Sequence, residues 1–175
     1  MYFEFGAVKR AMNKYNDVAF GIGSNLGGRL QNLRAAVKNL SGYGFVIEKK
    51  SNVFETEPWG VTDQPSFLNA CIKAKINRKL TPLKILEIIK KIEIDMGRVN
   101  SFRYGPRIID IDLLLIDSVV YKNEFLTVPH KEIFNRAFVL YPLSEIYPNW
   151  SHPITGERVS DAVNNFARPI RIVKL

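Results

Sequence analysis

The stretch from Arg98 to Ile116 places three arginines, Arg98, Arg103 and Arg107, ahead of two aspartates, Asp110 and Asp112, that stand one residue apart in an otherwise apolar run. In a strand, side chains two apart point to one face at a rise of roughly 3.3 Å per residue, so the two carboxylates would project together, about 7 Å apart at their backbones. On a helix the same pair would diverge. Neighbouring carboxylates in a half-buried strand repel each other and are costly to desolvate unless cations neutralise them. A bound divalent metal meets both costs, and hard oxygen ligands select magnesium.

An Asp-x-Asp pair can also line a solvated sheet face or a strand edge, so the flanking residues matter. Gly105-Pro106 is a turn signal that opens the strand, and the three arginines crowd the same end. Arginine is always charged and grips phosphate oxygens bidentately, whereas a plain surface more readily mixes Lys and Glu. The pattern points to an anion held beside a metal, with the solvated-face reading still open on these residues alone.

Such a strand needs a scaffold, and the rest of the chain supplies one. Asp17 to Gly23 reads as a first strand ending in the loop Ser24 to Gly28, and Leu30, Leu33, Val37 and Leu40 then form a one-sided helical stripe that Gly42 stops. Phe45 to Phe54 reads as a strand with an exposed middle at Lys49-Lys50-Ser51-Asn52. Its exit, Thr56 to Pro65, is the longest loop candidate, of the kind that is usually functional or disordered. Ser66 to Asn77 reads as a central strand. Thr81-Pro82 caps a helix carried by Leu83, Leu86, Ile89, Ile92 and Met96 to Gly97. After the aspartate strand comes a predicted hairpin through Asp117-Ser118 to Val119-Val120-Tyr121, and the proline-rich remainder reads as short helices and loops. Strand, helix, strand, strand, helix, strand predicts an α+β fold of ferredoxin-like type, an antiparallel sheet with packed helices in a single compact domain. Residues 1–16 stand outside it as an extension of unknown role, and residues 17–175 form the domain.

A chain of 175 residues with 46% hydrophobic content suits one well-packed core. Its net charge of +8 favours an anionic partner, whether nucleotide, nucleic acid or acidic membrane. The single cysteine, Cys71, cannot form an internal disulfide and reads as a core thiol. No apolar run approaches the roughly 18 residues of a membrane span. Met1 to Asn16 has no hydrophobic stretch or small-residue cleavage site, so no secretory signal is expected and a cytoplasmic location follows by default.

Competing motifs fail in part. Gly23-Ser24-Asn25-Leu26-Gly27-Gly28 has the glycine spacing of a Walker A loop, but Arg29-Leu30 stands where Lys and Ser or Thr are required. A dinucleotide fingerprint from Gly21 would need glycine at Leu26. The glycines then serve tight turning and close backbone packing. Gly42-Tyr43-Gly44-Phe45-Val46 matches the centre of the RNP1 motif of RNA-recognition (RRM-type) domains, which also use a ferredoxin-like sheet. Ser41 replaces its leading basic residue and Glu48 its trailing aromatic, and two strand aspartates have no use there; an RNA-binding domain is nonetheless the alternative. Two distant histidines, His130 and His152, and one cysteine make a zinc site implausible. His130 with Arg136 could add donors to an anion site. Trp59, Phe67 and Phe138 read singly as packing residues.

Taken in order, these segments resemble the 6-hydroxymethyl-7,8-dihydropterin pyrophosphokinase (HPPK) family of folate biosynthesis over about residues 18 to 150. The match is carried by Gly-Ser-Asn-Leu at 23 to 26, Glu55-Thr56-Glu57-Pro58-Trp59-Gly60, Asp63-Gln64-Pro65 with Phe67-Leu68-Asn69, Gly97-Arg98, Gly105-Pro106-Arg107 with Asp110-Ile111-Asp112, and Val128-Pro129-His130 leading to Arg136-Ala137-Phe138. The resemblance implies diphosphoryl transfer from ATP to the pterin hydroxymethyl group, giving AMP and the pterin diphosphate. It implies that Asp110 and Asp112 hold two Mg2+ ions and that Arg98 and Arg107 stabilise charge on the migrating group. The pterin would stack between Phe67 and Phe138, with Thr56, Glu57, Trp59 and Asn69 at its polar edge. Glu93, Arg103, Tyr104, Leu113, Thr127, His130 and Arg136 would line the ATP side. ATP and the pterin are then the expected partners, with no nucleic acid, no membrane and a monomeric chain. Some positions depart from the family pattern. Asn100-Ser101 replaces a basic pair, the loop to Gly105 is one residue shorter than a common form, Tyr104 stands for a frequent Trp, and Phe125 for an arginine of some relatives.

Overall fold

Val18, Phe20 and Ile22 alternate with Ala19, Gly21 and Gly23 in the first strand, and this alternation divides the molecule into layers. The computed structural model describes residues 15–58, 60–77, 79–99, 105–166 and 171–173. The elements run β1 (Tyr15–Ser24), α1 (Arg29–Gly42), β2 (Val46–Lys50), β3 (Val53–Thr56), β4 (Phe67–Asn77), α2 (Pro82–Asp95) and β5 (Asp110–Ile116). They continue with β6 (Tyr121–Lys122), β7 (Thr127–Val128), α3 (Ala137–Ile146), α4 (Val159–Asn164) and β8 (Arg171–Val173). Among the described residues, no helix is long and apolar enough to cross a membrane.

The main sheet has the order β5-β1-β4-β3-β8, with β2 also paired to β4 and every pairing antiparallel. Its first five segments are the ferredoxin-like arrangement expected from the sequence. Val18, Phe20, Ile22, Ala70, Ile72, Ala74, Ile111 and Leu113 join Leu33, Ala36 and Leu40 of α1 and Ile85, Ile89 and Ile92 of α2 in one core, where Phe20 meets Phe45 edge to face at 5.1 Å. The opposite face carries a second core, in which Ala19, Cys71, Leu114 and Leu115 pack against Val139, Leu140 and Leu143 of α3 and Val159 and Ala162 of α4. Helices therefore cover both faces, and β5 can be almost continuously apolar because both of its sides are buried. A bulge opposite Ala19 and Phe20 lets Leu114 and Leu115 both enter the second core before Ile116 returns to the first.

Local signals explain the ends of α2. Thr81 caps α2 by accepting a hydrogen bond from the Lys84 amide at 3.2 Å, Pro82 occupies the first turn, and Gly97 follows the helix at φ 87°. Three expectations need correction. The stripe of α2 is turned, so that Ile85 is buried while Leu83 is 37% exposed. The strand from Phe45 is broken at Ser51-Asn52, where the Ser51 hydroxyl accepts from the Cys71 amide and Asn52 is held by the Glu145 carboxylate of α3. The hairpin after β5 does not pair with β5; β6 pairs with β7, and Asp117, at φ 42°, instead exchanges hydrogen bonds with Asp17. Within the short helix α3, Pro142 is accommodated in the interior, buried.

Chain beyond β7 is anchored to β5 through His130, whose amide donates to the Leu114 carbonyl at 2.7 Å. Its Nδ1 accepts from the Glu132 amide, a bond that needs that nitrogen unprotonated. Burial, reinforced by the Arg136 charge, lowers the His130 pKa to about 4. Between that value and the ordinary value near 6.5, the unfolded chain binds a proton that the folded one refuses. Stability from this group is therefore complete above pH 6.5 and is lost as pH falls toward 4. Denaturant titrations of wild type and His130→Gln at pH 7.5 and pH 4.5 are expected to show wild type losing about 2 kcal/mol more than the variant across that interval. Parallel losses in the two proteins would refute the assignment.

Candidate active site

In β1 the residues facing the second layer beyond Ala19 are Gly21 and Gly23, and their neighbours define the site. Gly23 lies between Asn69 of β4 and Asp110 of β5, and Gly21 between Cys71 and Asp112. Two side-chain-free positions thus form a trough with an amide on one side and two carboxylates on the other. Glycine inside a strand often marks such a close approach. The trough belongs to a cavity of about 200 Å3. Thr56, Glu57, Phe67 and Asn69 line one side of it, and Arg107, Asp110 and Asp112 the other. Arg136 and Phe138, at the start of α3, complete the wall, with the guanidinium 5.7 Å from the Phe138 ring centre.

Asp110 is the charged centre of the site. Its Oδ1 accepts from Arg98 at 2.7 Å and its Oδ2 from Arg107 at 2.7 Å. Arg98 Nη1 also donates to Glu93, a fully buried carboxylate of α2 that accepts from the Ile111 amide at 2.8 Å and from Lys90 at 2.8 Å. Asp112 stands beside this network with its pKa pushed up to about 7, first by burial and then by the Asp110 carboxylate, against the opposing charges of Arg136 and Lys90. A cation placed between Asp110 and Asp112 would relieve both causes, and the donors are hard oxygens. Among the described residues no third His, Cys, Asp or Glu joins a metal-binding group. A divalent ion would therefore complete its shell with water and phosphate oxygens, as magnesium does at phosphoryl-transfer sites.

On the opposite wall, the Asn69 amide donates to the Thr56 hydroxyl at 2.8 Å, which fixes its orientation. A Cβ at Gly23 would come within 2.6 Å of Asn69 Oδ1, so that side chain depends on the glycine. The site residues expected from sequence are otherwise placed as follows. Leu113 turns its side chain into the first core, away from the carboxylates. Thr127 pairs with Lys122 in the small hairpin, and His130 is partly buried beside β5. Trp59, Arg103 and Tyr104 lie outside the described residues. Cys71 is buried, and burial raises its thiol pKa far above the usual range, which leaves it unreactive.

Two features were missed by sequence reasoning. Alternate glycines in the first strand were a readable sign of the trough. Asn25, 2% exposed, stands in the Gly-Ser-Asn-Leu motif, but its role depends on loops at 64–65 and 107 that only the fold brings to it. The RNP1-like segment proves to be a helix end and turn, with Phe45 buried in the core rather than presented on the sheet for a base to stack on.

Residues 19–148 match the family of 7,8-dihydro-6-hydroxymethylpterin-pyrophosphokinase (HPPK). The 2-amino-4-hydroxy-6-hydroxymethyldihydropteridine pyrophosphokinase of Aquifex aeolicus is 44% identical over 137 residues, which are 78% of this chain and 84% of that protein. The mitochondrial folate synthesis bifunctional protein of Pisum sativum is 42% identical over 130 residues, 74% of this chain; the chain spans about a quarter (25%) of that longer relative. In fold, the chain is similar to the wild-type Plasmodium falciparum HPPK-DHPS crystallised with pteroate, with a TM-score of 0.68 at 18% identity, over 87% of this chain and 42% of that one. The family match over residues 19–148 and the 44% identity to the Aquifex aeolicus protein establish the kinship: the chain belongs to the 7,8-dihydro-6-hydroxymethylpterin-pyrophosphokinase family.

Proposed function

We propose that this chain transfers a diphosphoryl group from ATP to the hydroxymethyl oxygen of 6-hydroxymethyl-7,8-dihydropterin. The observation that carries the reading is the glycine-floored trough, which sets a planar, amide-bearing wall opposite a wall of carboxylates and arginines. The pterin oxygen attacks the β-phosphorus and loses its proton, a new O–P bond forms, the bond from the β-phosphorus to the α,β-bridging oxygen breaks, and AMP leaves. The pterin ring stacks between Phe67 and Phe138 while Asn69 and Thr56 read its polar edge, an arrangement in which stacking supplies affinity and paired donors and acceptors supply discrimination.

Arg98 and Arg107 face the migrating group. A guanidinium carries five N–H donors, and the contacts described above use Nη1 of each arginine, so further donors remain for phosphate oxygens. Arg136 adds positive charge from the wall. Asp110 and Asp112 would hold two magnesium ions, which when bound neutralise phosphate charge. The protein's share is then mostly alignment of the two substrates, an effect that can supply roughly 7 to 11 kcal/mol of a barrier. Residues 17–175 would constitute the catalytic unit.

Mass spectrometry of a reaction with ATP, magnesium and the reduced pterin is expected to give AMP and the pterin diphosphate; transfer of a single phosphate would sink the reading. Asp110→Ala and Asp112→Ala are each expected to lower the rate of AMP formation at least about 100-fold, or about 2.7 kcal/mol of transition-state stabilisation. Near-normal turnover in either would refute the metal assignment. Gly23→Ala crowds Asn69 rather than the carboxylates. It is expected to raise the KM for the pterin about tenfold with the KM for ATP little changed, a loss equivalent to one displaced recognition contact. Equal effects on both KM values would place the trough wrongly.

A further inference from the structure

The loop between β1 and α1 contains a side chain that touches both halves of the site without entering the cavity. Asn25 is buried, and both N–H donors and the carbonyl oxygen of its amide are bonded. Its Oδ1 accepts from the Arg107 amide at 2.7 Å, while its Nδ2 donates to Gln64 Oε1 at 3.0 Å and to the Pro65 carbonyl at 3.0 Å. Its backbone amide donates in turn to the Arg107 carbonyl at 3.1 Å. One orientation of the carboxamide satisfies all three side-chain bonds, because a flip would set oxygen against oxygen and N–H against N–H.

Each end of this link leads directly to a substrate wall. Arg107 is the residue whose guanidinium bonds Asp110 at 2.7 Å. Pro65 lies two residues ahead of Phe67 on the aromatic side, and Gln64 ties the intervening loop back on itself by donating to the Val61 carbonyl at 2.7 Å. A change in the backbone at Arg107 therefore alters the partner on which Gln64 and Pro65 rest. Resting on the diphosphoryl-transfer reading, we propose that Asn25 is a positioning residue that couples the phosphate side to the pterin side, so that occupation of one tightens the other. The same loop has an independent structural support in Asn32, whose amide donates to Ser24 Oγ at 3.1 Å and to the Leu26 carbonyl at 2.9 Å and reaches neither wall. Arg29 holds Ser66 by its carbonyl at 2.8 Å, so the loop end retains an anchor when Asn25 is changed.

The test measures binding of 6-hydroxymethyl-7,8-dihydropterin by calorimetry with and without magnesium and an ATP analogue carrying methylene between the α- and β-phosphorus atoms. In wild type the analogue is expected to tighten pterin binding by a factor in the range of roughly 5- to 150-fold typical of coupled sites. Asn25→Ala and Gln64→Ala are expected to lose most of that factor, whereas Asn32→Ala keeps it even where its melting temperature falls. Coupling that survives in Asn25→Ala, or that Asn32→Ala loses equally, overturns the proposal, as does a wild type in which the analogue leaves pterin affinity unchanged. Should Asn25→Ala fail to fold, Gln64→Ala decides, since it removes one of the two loop-end acceptors of Asn25 and leaves the Arg107 end intact. Absence of AMP formation by wild type in the same preparation would count instead against the reaction assignment.

Discussion

Everything at this site depends on keeping two negative charges side by side on one strand face. Asp110 and Asp112 flank the glycines of β1 and share one side of the sheet, so their mutual repulsion is built into the register. Two guanidinium groups on Asp110 settle part of that repulsion, while at Asp112 burial first and the Asp110 charge second push the pKa up to about 7. A metal ion between them supplies positive charge when it binds. The proposed role of the pair as a metal site rests on this imbalance, in which the protein's own cations neutralise one carboxylate better than the other.

Holding that register requires the layers. Ile111 and Leu113 point into the core under α1 and α2 with the aspartates on the reverse, so a slip of one residue would bury the carboxylates among Phe20, Ile72 and Ile89. The bulge at Leu114 ends the alternation where the polar site ends, and beyond it α3 covers the sheet. The helix brings Arg136 and Phe138 to the cavity from its first turn, while Glu145 at its other end fixes the break between β2 and β3. Function and core therefore share the same face of the sheet, divided at two glycines.

What the sequence disclosed followed periodicity and caps: the ferredoxin-like order, Thr81 with Pro82 at the start of α2, and the two carboxylates on one face all came from local pattern. What it withheld was set by distant partners. Asp117 seemed a hairpin turn until its hydrogen bonds to Asp17 are seen, and Leu83 seemed a core residue although Ile85 fills that position under the sheet. Pro142 within α3 and the edge strand β8 on β3 rest on tertiary packing that no short window contains. Gly21 and Gly23 lie between these cases, since their spacing was visible but its meaning required Asn69 and Asp110 on either side.

Glu93 shows why position in the site and role in the site differ. Its carboxylate is buried and meets Arg98, Lys90 and the Ile111 amide, all of them protein groups. Its physical work is to hold Arg98 at the mouth of the strand and to fix the backbone between the two aspartates. Arg98 consequently carries two duties, neutralising Glu93 inside the fold and bonding Asp110 at the site. Removing one partner of a buried ion pair costs about 3 to 5 kcal/mol, so an alanine at Arg98 would lower stability and catalysis together and could not assign either. Among the described residues Arg107 has no such buried partner; Asn25 holds it through its backbone amide, and its guanidinium bonds Asp110. Of the two arginines, Arg107 is the one whose loss would report on the charge of the site with the least disturbance of the core.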